Sequence, residues 1–267
     1  MRVRALVIGL AVTVLAIAAG VVGADFGTAI YAEYRLTRTL RAEANLDFDP
    51  WVGILGFPFI PQVMRHRYNE IEIRAAAVER PVIGKATLEA TLHSVDLAEA
   101  SWLIRPHAPL PVRKLESRII INSVHLGRFM HITDLTVESP PKDTNDATGG
   151  TTESGVSSNI GLIFTGTPTV PGFGKKVSVS VDLSMAGPDD TTLVVKATGI
   201  TTRPGTAKRE VPSDKLSAVL AAFSTNLPDQ KLPFAVMPTR EGVRGSDVII
   251  EGITQGLTVH LDQFAVS

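Results

Sequence analysis

No cysteine occurs anywhere in the 267 residues. That removes disulfides, a thioether lipid anchor, a Cys-ligated metal and a cysteine nucleophile at one stroke. A chain of this size folds without disulfides, since more than two hundred residues bury most of their surface. A basic excess is missing too. Of 26 basic residues, Arg2 and Arg4 precede Asp25, while all 27 acidic residues lie from Asp25 onward. The chain beyond residue 24 is therefore net acidic, and nucleic acid is not an expected partner. Catalytic signatures are equally scarce. No Gly-x-Ser-x-Gly elbow, His-Glu-x-x-His pair, Walker loop or Gly-x-Gly-x-x-Gly follows a strand pattern. The six histidines, His66, His93, His107, His125, His131 and His260, are scattered, and Gly127 signals a turn between His125 and His131. Glu70 and Glu72 alternate outward on a strand, and Asp189-Asp190 after Gly187-Pro188 reads as a hairpin tip. The expectation is a non-enzyme, with no catalytic residue, no metal and no cofactor.

What is present begins with one long apolar run. Ala5–Gly23 holds 19 residues without a charge, behind Arg2 and Arg4. As a helix it spans roughly 28 Å, close to the hydrocarbon thickness of a bilayer. Two readings fit. The basic start, apolar centre and small-residue end Val22-Gly23-Ala24 match a signal peptide cut after Ala24. The same run also fits a retained N-terminal anchor with its basic end in the cytoplasm, although no Trp or Tyr closes it. Either way, an exported, membrane-associated protein of the periplasm or cell envelope is expected. Residues 1–24 form the export segment, and 25–267 form a single β-rich domain.

Residues 25–43 place Phe26, Ile30, Tyr34, Leu36 and Leu40 at near-helical spacing, with Asp25 as N-cap. Trp51–Leu55 reads as a short strand. Alternation then recurs over Glu70–Ala77 and Ala86–Leu92, with a shift of one at Val95 and Leu97, as across a bulge. Arg118–Leu126 and His131–Val137 read as a pair around Gly127. Val177–Met185 is the cleanest strand, and Thr192–Ala197, Asp247–Gly252 and Gly256–Phe264 follow. Ser213–Asn226 reads as a second amphipathic helix with Ser213 as N-cap. The polar stretch 139–159 has the composition of a flexible loop. The fold class is α+β: a long, curved, mostly antiparallel sheet wrapped on amphipathic helices, with room for a groove between them.

One stretch fits neither a central strand nor a long helix. Gly56-Phe57-Pro58-Phe59-Ile60-Pro61 has two prolines that remove backbone donors, so its aromatics depend on tertiary contact for burial. Phe57, Phe59, Ile60, Val63 and Met64 are candidates for the lip of an apolar groove. Arg65, Arg67 and Arg74 are candidates for a phosphate headgroup, because guanidinium forks suit oxyanions. A plainer alternative makes Phe57 and Phe59 a plug at the end of the core, with the arginines in a solvated turn. On the lip reading, Phe59→Asp lowers lipid binding and leaves the fold mostly intact.

This stretch, a short basic turn and an alternating strand after an export helix, resembles the LmeA-type family of actinobacterial envelope proteins. Lys85–Leu97, Leu232–Val243 and Asp247–Leu261 resemble later segments of that family in order. The resemblance implies a tubular lipid-binding fold and a phospholipid ligand of the phosphatidylinositol type. It also implies work at the membrane surface in lipomannan and lipoarabinomannan elongation, with the envelope mannosyltransferase machinery as a further partner. Readings from other classes are an adaptor that binds a membrane glycosyltransferase without taking lipid, and an envelope hydrolase with a non-motif active site.

Overall fold

A computed structural model describes residues 2–97, 101–140, 155–202, 207 and 210–265. Helix α1, Arg2–Glu43, is one rod of 42 residues. It passes through Gly23 without a break: an isolated glycine costs a helix about 1 kcal/mol, and no proline stands nearby to stop it. Asp25 is therefore not the N-cap expected from the sequence. Its carboxylate caps a different helix, described below.

Strand β1 is Trp51–Leu55, as its pattern indicated. Then come α2 (Ile60–Met64), β2 (Arg67–Arg80), β3 (Gly84–Asp96), β4 (Leu110–Asn122), α3 (Ser123–Phe129), β5 (Thr136–Glu138), β6 (Leu162–Gly166), β7 (Val177–Ala186) and β8 (Thr192–Ile200). The last elements are α4 (Leu216–Ala222), β9 (Thr225–Leu227), β10 (Arg240–Arg244) and β11 (Asp247–Val259). Two open antiparallel sheets result, in the orders β1-β2-β3-β4-β11-β10 and β5-β6-β7-β8-β9. The α+β class expected from the sequence is what the chain adopts, with two sheets in place of one.

Several segments depart from the sequence reading, among them Asp247–Gly252 and Gly256–Phe264, which form one strand, β11, ending at Val259. Arg118–Leu126 is not one strand: β4 ends at Asn122, whose side chain accepts from Val124 N at 2.8 Å and starts α3. Gly127 lies inside that helix, not in a hairpin turn. An added Cβ there would sit 2.5 Å from Ile132 O, so its lack of a side chain lets the following loop close tightly. Residues 136–138 then pair with β6 in the second sheet. The second amphipathic helix is shorter than expected, Leu216–Ala222 without a side-chain cap, because Asn226 and Leu227 join β9 beside β8. Of the polar stretch 139–159, residues 141–154 lie outside the described residues. Val156 at its far end is buried against Ile120 and Ile249, and Ser157 N donates to Val243 O at 2.9 Å.

The expected bulge at Val95 is absent as a slip: β3 keeps its register through Val95 with both β2 and β4. The irregularity lies instead between Ala75 and Val78. The inward face still changes phase at Val95, because neighbouring strands change together. Ile71, Leu92 and Leu115 pair across the sheet, and so do Tyr68, Val95 and Val112, three residues further along each strand. Ser94 takes φ 52° in this row, so the sheet coils along a line and keeps all six side chains inside.

One cluster of buried side chains joins α1 (Leu36, Leu40), the first sheet (Ile71, Leu88, Leu115) and the second (Phe164, Val179, Leu193). Across the middle of the first sheet runs a row of small residues, Ala90, Ser117 and Gly252, paired strand to strand. Residues 232–237 cross over it as a strap. Ser117 Oγ donates to Pro233 O at 2.8 Å, and a Cβ on Gly252 would meet Met237 O at 2.4 Å. Leu232, Phe234 and Val236 are buried there, with left-handed backbone at Phe234 (φ 60°) and Ala235 (φ 53°).

Candidate functional site

The aromatic turn between β1 and β2 is built from polar anchors. Gly56 (φ 109°) opens it, and the Phe57–Pro58 peptide is cis. Pro58 and Pro61 have no N–H, but Phe59 and Ile60 do, and both amides point at α1. Asp25 Oδ2 accepts from Phe59 N at 2.8 Å and Oδ1 from Ile60 N at 2.7 Å. Asp25 is only 4% exposed, so a buried carboxylate satisfies the two donors that begin α2. Gln62, also buried, ties the other side: its Nε2 donates to Gly56 O at 2.6 Å, and its Oε1 accepts from Asn69 N at 2.8 Å. The turn is clamped between α1 and β2.

Clamping sorts the five apolar candidates. Phe59 turns inward, 2% exposed, stacked on Tyr68 at 5.5 Å between ring centroids. Tyr68 donates to Trp102 O, and burial raises its pKa. Phe57 turns outward, 65% exposed, stacked at 5.6 Å on Phe26 of α1, itself exposed. Met64 is 75% exposed. Ile60 and Val63 are half-buried between these extremes.

The arginines are less gathered. Arg65 and Arg67 stand at the end of the turn. Arg65 Nε donates to Pro61 O at 3.1 Å, and Arg67 pairs with Asp96 at 2.6 Å. Arg74 lies seven residues along β2, roughly 23 Å from Arg67 in an extended strand. It pairs with Glu89 at 3.4 Å on the outer face of the sheet.

That outer face is a charge ladder. Arg74, Glu89, Arg118, Glu251 and Arg240 are successive cross-strand partners over β2, β3, β4, β11 and β10, the arrangement that favours opposite charges. Arg118 Nε meets Glu251 at 2.5 Å, and its Nη2 meets Glu116 at 2.8 Å. His93 stands between Glu70 (3.1 Å) and Glu116 (3.3 Å). Burial alone would raise the Glu116 pKa, but Lys114, Arg118 and His93 together draw it below its ordinary value. Glu72 is the opposite case, raised by burial and by Glu70 and Glu89. Its ionised form is disfavoured by folding, so it weakens the fold at pH values above its raised pKa and not in acid. Glu72→Gln is therefore expected to raise the urea midpoint at pH 7. That gain disappears as the pH falls through the raised Glu72 pKa towards the ordinary value of 4.5; a gain unchanged across that window contradicts the assignment. A cleft of about 460 Å³ opens here beside Trp51, Glu72, Arg74, Glu89 and Arg118. Another of about 470 Å³ lies between Ala44–Asp49 and Ala75–Glu79. Among the described residues, no group of three or more His, Asp or Glu is placed to hold a metal.

Sequence reasoning missed Asp25 and Gln62 as the clamp, since their partners lie 34 and 7 residues away. It also missed the aromatic collar beyond the apolar run. Tyr31 approaches Trp102 at 6.1 Å and Arg38 lies over Tyr34 at 5.5 Å, one to three turns further along α1 than the Phe26–Phe57 stack. The apolar helix before it is unburied and long enough to cross a bilayer, as a membrane anchor or signal sequence would be.

A search of curated proteins and of solved structures found no match to this chain. A family model described as LmeA-like phospholipid-binding matches residues 23–253, from the end of the apolar run to the middle of β11. The matched span holds the clamp, the aromatic turn, the strap and both sheets except the end of β11, and on that ground the chain belongs to the LmeA-like phospholipid-binding family.

Proposed function

We propose that this chain is an exported, non-catalytic protein of the cell envelope that shelters phospholipid acyl chains in its apolar interior. It favours phosphatidylinositol-type lipids and supports mannan-chain elongation on lipomannan and lipoarabinomannan. The observation that carries the reading is membership of a phospholipid-binding family over residues 23–253. The N-terminal helix, apolar and unburied, supports export and membrane association.

Phe57, Ile60, Val63 and Met64 form the lip in this reading, with Phe59 as its floor. Arg65 and Arg67 meet the phosphate, and Arg74 lies further out along β2. Energetically, each sheltered methylene contributes ~0.8 kcal/mol, so a sixteen-carbon chain gains on the order of 12 kcal/mol when fully covered. An interior site is supported by the small-residue row Ala90, Ser117 and Gly252. Its overlying volume is filled by Leu232, Phe234 and Val236 of the strap. In this reading the strap is the segment that moves aside for an incoming chain.

The test has two arms. Chain loaded from vesicles of mixed phospholipids, then analysed by mass spectrometry, should be enriched in phosphatidylinositol over phosphatidylethanolamine, and Arg65→Ala should reduce that enrichment. A strain lacking the chain should make shortened mannan. Bound lipid with normal mannan length would overturn the biosynthetic role. Shortened mannan with no bound lipid would identify the adaptor instead.

A further inference from the structure

We infer that Phe26, Phe57 and Met64 form a membrane-docking face that lies in the interfacial layer of the phospholipid bilayer where α1 emerges from it. The starting point is position along the helix. The uncharged run ends at Ala24, so Phe26 follows about 3 Å further along the axis. The interfacial layer on each side of a bilayer is roughly 5–7 Å deep. Phe26 falls within that layer, and Phe57 is stacked against it. Both rings are more than half exposed and lie against each other, so they form a shared apolar surface continuous with the exposed apolar helix.

The order of chemistry beyond Gly23 fits a bilayer boundary. Past Asp25, which is buried in the clamp, exposed Phe26 comes first, and Tyr31, Tyr34 and the charges of Glu33, Arg35, Arg38 and Arg41 stand further out towards water. The turn repeats it on a smaller scale: exposed Phe57 and Met64 are followed by exposed Arg65, while Arg67 is paired with Asp96. Ile60 and Met64, four apart, share a face of α2, and Ile60 N is bonded to Asp25. The Asp25 clamp is what makes this a docking device. It fixes the turn rigidly to the helix at the level where the apolar run stops, so the body is held at a set height and angle on the lipid surface. These residues all lie beyond residue 24, so the face persists whether or not the export segment is removed.

The proposal takes its partner from the phospholipid reading but concerns the outer surface, not the interior. The absence of native cysteine allows a direct test in the full-length chain. Single cysteines replacing Phe57, Met64 or, as an aqueous reference, Asp189 at the exposed β7–β8 tip would carry nitroxide labels. The chain is reconstituted in phosphatidylcholine–phosphatidylglycerol vesicles. Labels at 57 and 64 should show a ratio of oxygen to nickel-chelate accessibility at least about threefold above that at 189, and a Phe57→Asp change should lower the ratio at 64. Equal, water-like ratios at all three positions overturn the docking face. Phospholipid retained after delipidating chromatography, measured on the same preparations, separates the two claims. Retained lipid with aqueous labels sinks docking alone, and embedded labels without retained lipid sink the interior site alone.

Discussion

Phe59→Asp should unfold the body of this protein, not merely weaken its hold on lipid. The side chain is 2% exposed and stacked on buried Tyr68. Truncating such a phenylalanine costs about 3–5 kcal/mol. An unpaired carboxylate in its place adds several more, against a total stability of about 5–15 kcal/mol. The sequence-based expectation that this variant keeps its fold is thus reversed by burial. Phe57→Asp, two residues away, is the surface counterpart. It exposes no cavity and forfeits only the Phe26 stack, about 0.5–1.5 kcal/mol. Urea unfolding followed by fluorescence of Trp51 and Trp102 should show no cooperative transition for the first variant and a nearly unchanged midpoint for the second. A folded Phe59→Asp with a midpoint near that of the parent would contradict the inward placement of this ring.

Asp25→Ala carries the next largest effect, a loss of about 3 kcal/mol. Two short charge-assisted bonds, at 2.7 and 2.8 Å, go with the carboxylate. The amides of Phe59 and Ile60 are then left under α1 with no acceptor, and each stranded donor costs about 1–3 kcal/mol. Asp25→Asn keeps one acceptor oxygen and should lose roughly half as much. Rank order is the check: Ala below Asn below parent in unfolding midpoint. If Ala and Asn both unfold with the parent, the carboxylate is not what joins helix and turn.

Much of the architecture was legible in the residues, and the exceptions have physical causes. The Val177 strand was readable because apolar and polar residues alternate along it, while Trp51–Leu55, without a polar residue, was readable as a short apolar run between Pro50 and Gly56. Helix α3 was not, because it follows β4 without a linker and its start depends on the Asn122 side chain, a local cap inside an apolar run. The five residues Leu162–Gly166 are too short to show a period. The coiling row at Ser94 looks like a bulge in one strand, and only its partners at Tyr68 and Val112 reveal that no register is lost. In the aromatic turn, the sequence showed that the rings depend on tertiary contact but not which of them would be buried. Which ring goes in and which goes out is decided by Asp25, on an element separated by a whole strand. The same distance hid the collar: Trp102 is far along the sequence and meets α1 at Tyr31, about two turns beyond the apolar run.

Native mass spectrometry of the full-length chain, released gently from its membrane, tests the central claim most directly. The account predicts a population heavier than the bare chain by the mass of one phospholipid, retained under conditions that strip lipid from Phe57→Asp more readily than from the parent. A chain that arrives bare, and stays bare after incubation with phospholipid vesicles, would contradict it.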